Sequence, residues 1–334
     1  MLRKALVCAV ALILAICVLA ACAQPTPAQD DPADTAEGFV FGNIAYDMAD
    51  IWNQYGAEAF QWAADQKGVE VILLDAQNSP ERSVDLVQEL IARQVDGISI
   101  FPISPDQASM LIRLANEAGI PITVENLKID DDAGDFISIA ACLYDDIGYA
   151  AIQYISEHFP GSEVLMVAGA LGGGVWESYK EGIDRALVVF PDVTMPDIIH
   201  GDWATDRAHS VMQSFLASGR SFDVVFANND LMAMGVHTAL EDAGLAGQIP
   251  IISTGGAPEG LNMIRDGVVT ANMTAPVSLQ GLLTFRNLWR YVNDVPTERF
   301  YPLPIIPIDI NNLDQAILWD VVDQNAVDFI GGLD

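Results

Sequence analysis

Three consecutive small polar residues, Asn228, Asn229 and Asp230, interrupt an apolar stretch of the sequence. The preceding Val224–Ala227 is apolar at every position, which is typical of a strand buried on both faces of a parallel sheet. Apolar residues with helical spacing follow. The polar residues are therefore predicted to lie between a strand and a helix, where backbone N–H groups are free and open α/β sheets bind ligands. The alternative is that Asn229 or Asp230 only caps the helix.

Side chains arranged for catalysis or metal binding are scarce in the sequence. The four histidines lack the spacing of metal ligands, and zinc-type cysteine clusters are absent. Gly169–Gly174 precedes a predicted helix but lacks the Lys-Ser/Thr ending of a P-loop, so we interpret it as a strand-to-helix loop. We therefore predict no enzymatic activity, no cofactor and no metal. The enzymatic alternative is a carboxylate pair formed by Glu125 and Glu177 across a cleft, as in a glycosidase.

The elements that position these residues follow from hydrophobic periodicity, because short apolar runs alternate with amphipathic stretches from Phe39 onward. In the first half we predict strands at Phe39–Ala45, Val69–Asp75, Gly97–Phe101 and Ile120–Glu125, and helices at Ile51–Lys67, Pro80–Gln94 and Pro105–Ala118. In the second half we predict strands at Glu163–Ala168, Asp197–Ile199, Val224–Ala227, Ile249–Ser253 and Val268–Met273. The helices of that half are predicted at Tyr144–Phe159, Trp176–Phe190, Thr205–Ser218, from Asp230 to Ala243, at Glu259–Asp266 and at Val277–Val292.

Strands separated by single helices imply parallel pairing, since each crossover needs an element that returns the chain. Two comparable series of strand–helix units imply two similar lobes. We therefore predict an α/β fold of two doubly wound parallel-sheet lobes. A cleft between the carboxyl edges of the two sheets is the natural ligand site.

The first residues form a processing segment. A basic n-region precedes an apolar run from Ala5 to Leu19, which is shorter than the roughly 20 residues of a membrane-spanning helix. Leu19–Cys22 (LAAC) resembles a bacterial lipobox, which implies cleavage before Cys22 and lipidation of that cysteine. We expect a lipoprotein signal peptide over residues 1–22 and a flexible tether over residues 23–37. The mature protein would then be extracytoplasmic and lipid-anchored, at the cell surface of a monoderm or otherwise in the periplasm.

The composition is that of an acidic globular protein. The 334 residues are 51% hydrophobic, and 46 acidic and 15 basic side chains give a formal net charge of −31. This length is sufficient for two domains. An acidic surface repels phosphate backbones, so we expect no nucleic acid partner.

Four stretches of the chain together resemble one family. They are Asp75–Pro80 (DAQNSP), Gln94–Ile98 (QVDGI), Ala118–Ile122 (AGIPI) and Phe226–Ala233 (FANNDLMA). In order and in sequence they are similar to the ribose- and galactose-type periplasmic solute-binding proteins of ABC importers. The resemblance runs from about Phe39 to about Leu313.

The resemblance implies a type I periplasmic-binding-protein fold, in which two α/β lobes joined by a three-segment hinge close over one small polar ligand. Lobe I would comprise residues 38–142 and 276–305, and lobe II residues 143–275 and 306–325, with residues 326–334 as a C-terminal tail. The resemblance further implies a monomer that delivers its ligand to the membrane subunits of an ABC permease.

The resemblance also implies ligand-binding residues. In relatives, the loop after the first strand carries a polar side chain for sugar hydroxyls and an aromatic side chain that stacks on the sugar ring. Here Asp47 or Asp50 matches the polar group and Trp52 the aromatic group. The end of the fourth strand, where relatives carry an acid or an amide, holds Glu125 and Asn126.

Two further family positions lie in the second half. Trp203 stands at the place of a second aromatic residue, so Trp52 and Trp203 could sandwich a ring. Asn229 occupies the position of a cleft amide, which leaves Asp230 as the expected helix cap.

The sequence departs from the ribose-type pattern at several positions. Glu177, beside Trp176, aligns with an arginine, and Asn126 aligns with another arginine. Gly255 and Gly256 replace the usual aspartate, and Ala275 replaces an amide. The usual hydroxyl clamps for a pentose are therefore partly missing, and the candidate site becomes more aromatic and acidic. Trp176, Glu177 and Gly255 join the residues above as predicted ligand-binding residues, ten in all.

We predict a neutral sugar or sugar alcohol as the ligand. Aromatic and acidic side chains without an arginine also suit a cationic or amine-bearing ligand, and a nucleoside is a further alternative. The partner could be a membrane sensor instead of a permease. A LacI-type regulator would need a helix-turn-helix at the N-terminus, where this chain has the signal segment and the tether.

Overall fold

Short apolar strands alternate with capped helices throughout the computed structural model, which describes residues 38–129, 131–322 and 324–334. The predicted signal peptide, the tether and Cys22 lie outside these residues. Within the described ranges, no helix is long and apolar enough to cross a membrane.

The described residues form twelve strands and ten α-helices. The strands are β1 (Val40–Ala45), β2 (Glu70–Asp75), β3 (Gly97–Ile100), β4 (Ile122–Asn126), β5 (Ile139–Ala141), β6 (Glu163–Ala168), β7 (Thr194–His200), β8 (Val224–Ala227), β9 (Ile251–Gly255), β10 (Ala271–Thr274), β11 (Phe300–Pro302) and β12 (Ile306–Asp309). The helices are α1 (Ile51–Lys67), α2 (Pro80–Ala92), α3 (Pro105–Ala118), α4 (Tyr144–His158), α5 (Val175–Val189), α6 (Thr205–Ala217), α7 (Asp230–Asp242), α8 (Pro258–Arg265), α9 (Ser278–Val292) and α10 (Gln324–Phe329).

Polar side chains fix the starts of several helices. Asp50 accepts a hydrogen bond from the backbone N–H of Trp52 at 2.9 Å, and it begins α1. Ser79 and Ser104 cap α2 and α3 in the same way, each before a proline in the first turn. These caps satisfy backbone donors that a helix leaves unpaired at its start, so the local sequence determines where these helices begin.

The strands form two open six-stranded sheets. The first sheet has the order β11-β5-β4-β3-β1-β2 and its strand pairs are parallel. The second sheet has the order β12-β10-β9-β8-β6-β7, and it is parallel except for the antiparallel pair of β10 and β12. In both sheets the strand order reverses next to the first strand, which is where doubly wound sheets open a crevice.

The chain passes between the two sheets three times before the C-terminal segment. It crosses after β5 at residues 142–143, returns after β10 at residues 275–277, and crosses again between β11 and β12 at residues 303–305. Helix α9 packs on α1 and on the strands of the first sheet. Two doubly wound lobes joined by three segments are the predicted fold class, which the structure confirms.

The segment after β12, which we call the C-terminal strap (residues 310–322 and 324–334), returns to the first lobe. Ser278, at the start of α9, donates a hydrogen bond to the carbonyl of Leu318 at 2.8 Å. Arg286 on the same helix donates to the carbonyl of Ile330, and α10 packs against α9. The strap therefore contacts lobe I. We had predicted that residues 306–325 belong to lobe II and that residues 326–334 form a tail.

The core lies on both faces of each sheet. All four residues of β8 are buried, as a strand covered on both faces requires. In the first lobe, the rings of Phe41 and Phe60 lie 5.8 Å and 5.4 Å from that of Phe285 on α9. This packing leaves the carboxyl edges of the strands and the loops that follow them to form the cleft.

Candidate ligand-binding site

A cavity of about 430 Å³ lies at the carboxyl edges of the two sheets. The first lobe lines it with Tyr46, Asp47, Asp50, Ile51, Trp52, Asn53, Asn78, Phe101, Ile103 and Asn126. The second lobe contributes Tyr144, Ile147, Ala170, Leu171, Gly173, Val175, Tyr179, Trp203, Asn228, Asn229, Asp230, Leu231, Thr254, Gly255 and Ala257. Ala275 of the second crossing and Trp319 of the C-terminal strap complete the described wall. This volume suits a small organic ligand.

Seven of the ten predicted ligand-binding residues line this cavity. They are Asp47, Asp50, Trp52, Asn126, Trp203, Asn229 and Gly255. They come together because each follows, ends or lies near the carboxyl end of a parallel strand, and those ends face the same crevice. That they bind a ligand stays a prediction.

Glu125, which we predicted as a ligand-binding residue, lies outside the described cavity wall. Glu125 is 4% exposed and its Oε1 accepts hydrogen bonds from Ser99 at 2.8 Å and from Asn43 at 3.3 Å. Thr284 of α9 lies at 3.4 Å from the same oxygen. Burial raises the pKa of Glu125 to about 7. Successive strand residues point to opposite sides, so Asn126 faces the cavity and Glu125 the interior of the lobe.

Glu177 and Trp176 also lie outside the wall that the described residues form. The Glu177 carboxylate accepts hydrogen bonds from the backbone N–H groups of Gly172 at 2.8 Å and Gly174 at 2.9 Å. These bonds, with that of Gly172 foremost, lower the pKa of Glu177. Trp176 is 3% exposed and packs edge-to-face on His200, with ring centroids 5.9 Å apart. Glu177 therefore caps α5, and Trp176 packs in the interior of the second lobe.

Trp203 enters the cavity wall by close packing on backbone. It has a positive φ of 65°, and its ring covers Gly169, where a Cβ atom would lie only 1.9 Å from the ring. Only a glycine at position 169 leaves room for the ring. The loop predicted at Gly169–Gly174 thus begins with the residue on which the Trp203 ring packs.

The helix cap at α7 is Asn229, which corrects our prediction that Asp230 is the cap. The side-chain oxygen of Asn229 accepts from the N–H of Met232 at 2.8 Å. Its amide nitrogen donates to the carbonyl of Trp203 at 3.3 Å. Asn229 has extended backbone angles and Asp230 is already helical, so the cap falls one residue earlier. Asn229 thereby joins the two loops of the second lobe that line the cavity.

Asp230 lies in the cavity wall as a buried structural carboxylate. It accepts hydrogen bonds from Ser253 at 2.9 Å and from the N–H groups of Gly256 at 3.1 Å and Ala257 at 3.0 Å, and also from Asn272. Burial raises the pKa of Asp230 to about 6. The carboxylate thus ties together the ends of β8, β9 and β10 behind the cavity.

Trp52 and Asp50 occupy the first turn of α1 on the opposite side. The indole N–H of Trp52 donates to Gln280 at 3.2 Å, and its ring packs edge-to-face on Trp319 with centroids 5.0 Å apart. Asp50 is exposed to solvent at the mouth of the cleft, but desolvation by the surrounding protein is the largest cause that raises its pKa, and the negative charge of Asp47 raises it further. Asp47 and Asp50 thus both contribute a carboxylate to the cavity wall that Trp52 and Trp319 also line.

Sequence reasoning missed Tyr144, Tyr179 and Trp319. Tyr144 of the second lobe donates to the side-chain oxygen of Asn126 in the first lobe, and its ring lies 5.3 Å from that of Tyr179. The Tyr179 hydroxyl lies 3.0 Å from the hydroxyl of Thr254. Tyr144 directly follows the first crossing, which is the only signal in the sequence that could have identified it. Trp319 carries no such signal, because its place depends on how the strap returns to the first lobe.

The described wall carries acidic groups and no basic ones. Asp47, Asp50 and Asp230 line the cavity, whereas no Lys, Arg or His of the described residues does so. The described residues also contain no group of three or more His, Cys, Asp or Glu side chains that could hold a metal ion. Such a site can accept hydrogen bonds from hydroxyl or ammonium groups, and it repels anions.

Comparisons with known proteins identify a family. A family model described as a periplasmic binding protein domain matches residues 41–294. The chain is 28% identical over 311 residues to a xylitol-binding protein of Mycolicibacterium smegmatis, covering 91% of this chain and 86% of that protein. It is 29% identical over 218 residues to the ribose import binding protein of Salmonella typhimurium, covering 64% of this chain and 71% of that protein.

A solved structure shares the fold. It is an ABC transporter solute-binding protein of Actinobacillus succinogenes with bound D-allose. The two structures align with a TM-score of 0.77 and 22% sequence identity, covering 84% of this chain and all of the other.

Proposed function

The chain belongs to the periplasmic binding proteins of the ribose and galactose type, and on that premise we propose that it captures a sugar or sugar alcohol outside the cytoplasm and delivers it to an ABC import permease. The members of this family are binding proteins rather than enzymes, and their place is extracytoplasmic. We further propose that a lipid on Cys22 holds the protein at the membrane, and that residues 23–37 give it reach.

The observation that carries the proposal is the chemistry of the described cavity wall. Aromatic faces at Trp52 and Trp203 suit the apolar face of a sugar ring or the carbon chain of a polyol. Asp50 and Asn126 add hydrogen-bonding groups on the first lobe, as does Asn229 on the second. Hydroxyl groups both donate and accept, so a polyhydroxylated ligand can satisfy groups on both lobes.

Binding of this kind explains how capture leads to delivery. A ligand held by both lobes favours the closed state, because only a difference in affinity between the open and closed states shifts their populations. The three crossings are the segments about which the lobes would move. The closed form would then dock on the permease.

One observation favours a second candidate ligand. Asp47 and Asp50 lie together in the wall, and neither forms an ion pair with a basic side chain of the described residues. A primary amine could neutralise this pair, and indole rings attract cations. An amine-bearing ligand is therefore the alternative that an experiment has to separate from a neutral one.

A thermal-shift screen of the protein lacking residues 1–22 separates the two. The panel comprises xylitol, D-ribose, D-allose and myo-inositol as neutral compounds, and primary amines and amino acids as charged ones. A ligand of the native state raises stability by about 2.7 kcal/mol at a hundredfold excess over Kd. We expect neutral compounds to raise the melting temperature. Shifts with amines alone would replace the sugar with a cation, and no shift from any compound would contradict the proposal.

Anchoring and delivery need a cellular test. Cys22→Ala should release the protein from the membrane fraction, since the acyl chains would be lost. Cells that carry this variant should retain the binding activity in the soluble extracytoplasmic fraction. Uptake of the radiolabelled ligand should require this chain and the ABC permease together, and uptake without the chain would contradict delivery.

A further inference from the structure

Two buried N–H groups in the cavity wall lack a hydrogen-bond partner among the described residues. They are the indole Nε1 of Trp319 and the amide Nδ2 of Asn228. The two residues are 4% and 2% exposed, and both line the cavity. A buried donor without an acceptor destabilises a fold, so such a group in a native protein calls for an explanation, and a bound ligand or water is one.

The strap and both lobes hold the Trp319 ring in place. The preceding carbonyl, of Leu318, accepts a hydrogen bond from Ser278 on the first lobe. The ring packs edge-to-face on Trp52 of the same lobe at 5.0 Å. On the second lobe, a Cβ atom on Gly255 would lie 3.5 Å from the ring. With contacts on two sides, the indole has little freedom to turn its N–H toward another acceptor.

Asn228 is fixed in a similar way. Its side-chain oxygen accepts from the N–H of Gly169 at 3.3 Å, and its backbone carbonyl accepts from the hydroxyl of Thr254 at 2.7 Å. Thr254 and Gly255 end β9, which neighbours β8 in the sheet. Asn228 and Trp319 thus lie near the ends of the same two strands, and both residues line the cavity.

We propose that Trp319 and Asn228 are ligand-binding residues that donate hydrogen bonds to oxygen atoms of the ligand. This inference rests on the proposed function and narrows its ligand class. The second lobe and the strap offer donors, whereas Asp50 on the first lobe offers an acceptor. A hydroxyl group can serve either side, but an ammonium group has no lone pair for an N–H donor. The site therefore takes a polyol or sugar that directs one hydroxyl oxygen to the Trp319 N–H and another to the Asn228 amide.

Trp319→Phe tests the inference, because it removes the N–H and keeps an aromatic ring. Isothermal titration of the protein lacking residues 1–22 would use xylitol, D-ribose, D-allose and myo-inositol. We expect the variant to bind the best of these probes about tenfold more weakly than the wild type, as a hydrogen bond between a ligand oxygen and a buried donor is lost. Trp289→Phe is the matched control, since Trp289 packs on Phe39 away from the cavity and its loss should leave Kd unchanged.

Monodeoxy derivatives of the best probe give a second measurement. The wild type should bind at least two of them about tenfold more weakly. In Trp319→Phe, the effect of one deletion should disappear, because that oxygen has already lost its donor, while the effect of the Asn228 partner should persist. Melting of the ligand-free variant near the wild-type temperature would show that the fold is intact.

The outcomes separate this inference from the proposed function. If a neutral probe binds the wild type and Trp319→Phe with equal Kd, the donor role is overturned and the proposed function stands. The donor role is also overturned if each deoxy derivative loses the same factor of affinity in Trp319→Phe as in the wild type. If none of the four probes binds the wild type, the proposed function fails and this inference fails with it.

Discussion

Glu125→Gln should change the pH dependence of stability. Glu125 is buried inside the first lobe, where Ser99 and Asn43 donate hydrogen bonds to its carboxylate. Burial raises its pKa from 4.5 to about 7. Glutamine keeps the size and the acceptor oxygen of this side chain but cannot ionise. The variant therefore isolates the effect of the charge.

The sign follows from proton linkage. A carboxyl whose pKa is higher in the folded state binds its proton more tightly when folded. Its contribution to stability is therefore fully present below about pH 4.5 and is lost as the pH rises through about 7. A shift of that size corresponds to about 3 kcal/mol, at 1.36 kcal/mol for each pKa unit. For roughly 300 residues, the entropy of unfolding converts this into about 5 °C.

The assay is thermal unfolding of both proteins without ligand between pH 5 and pH 8. The melting temperature of Glu125→Gln minus that of the wild type should increase by about 4 °C over this range, because part of the full effect lies below pH 5. Asp230 titrates in both proteins, so its effect cancels. Glu177→Gln is the control, because the pKa of Glu177 is lowered and its difference from the wild type should stay constant above pH 5. A constant difference for Glu125→Gln would refute the reasoning.

Three further changes test the second lobe and its link to the first. Gly169→Ala should displace the Trp203 ring, because the new Cβ would lie 1.9 Å from it, and should weaken ligand binding at least tenfold by titration; unchanged Kd would remove Trp203 from the site. Asn229→Ala removes a helix cap and should lower the free energy of unfolding in urea by about 1 kcal/mol, besides weakening binding. Tyr144→Phe removes the hydrogen bond to Asn126 between the lobes, so ligand binding should weaken about fivefold with little change in melting temperature. An equal loss in ligand-free stability would make this bond structural.

The long amphipathic elements could be predicted from the sequence. Helices Ile51–Lys67 and Pro105–Ala118 have the predicted bounds, because a polar cap and a glycine mark their ends. Strand β7 is longer than predicted, since its alternating burial at the sheet edge hides the apolar pattern. The short strands β5, β11 and β12 were not predicted. They have three or four residues, and their identity depends on partners far along the chain.

The candidate site was predictable to the level of loops, but not of single side chains. The predicted strand ends identify the loops that line the cavity, because topology places these loops at one crevice. Within a loop, neighbouring residues have different roles that the sequence did not separate. Asn126 lines the cavity whereas Glu125 is buried, and Asn229 caps the helix whereas Asp230 is a buried carboxylate. The place of Trp319 in the cavity wall could not be predicted from the sequence, because it depends on the tertiary path of the C-terminal strap.

The arrangement of the last strands bears on how the chain folds after export. Strands β11 and β12 form the outer edge of the first and second sheets respectively, and both come from residues 300–309. Synthesis and translocation proceed from the N-terminus, so β5 and β10 stay as bare sheet edges until almost the whole chain has emerged. Bare edges favour pairing with other chains. A premature stop near residue 299 would therefore yield an aggregation-prone chain with two unfinished sheets, and not a soluble first lobe.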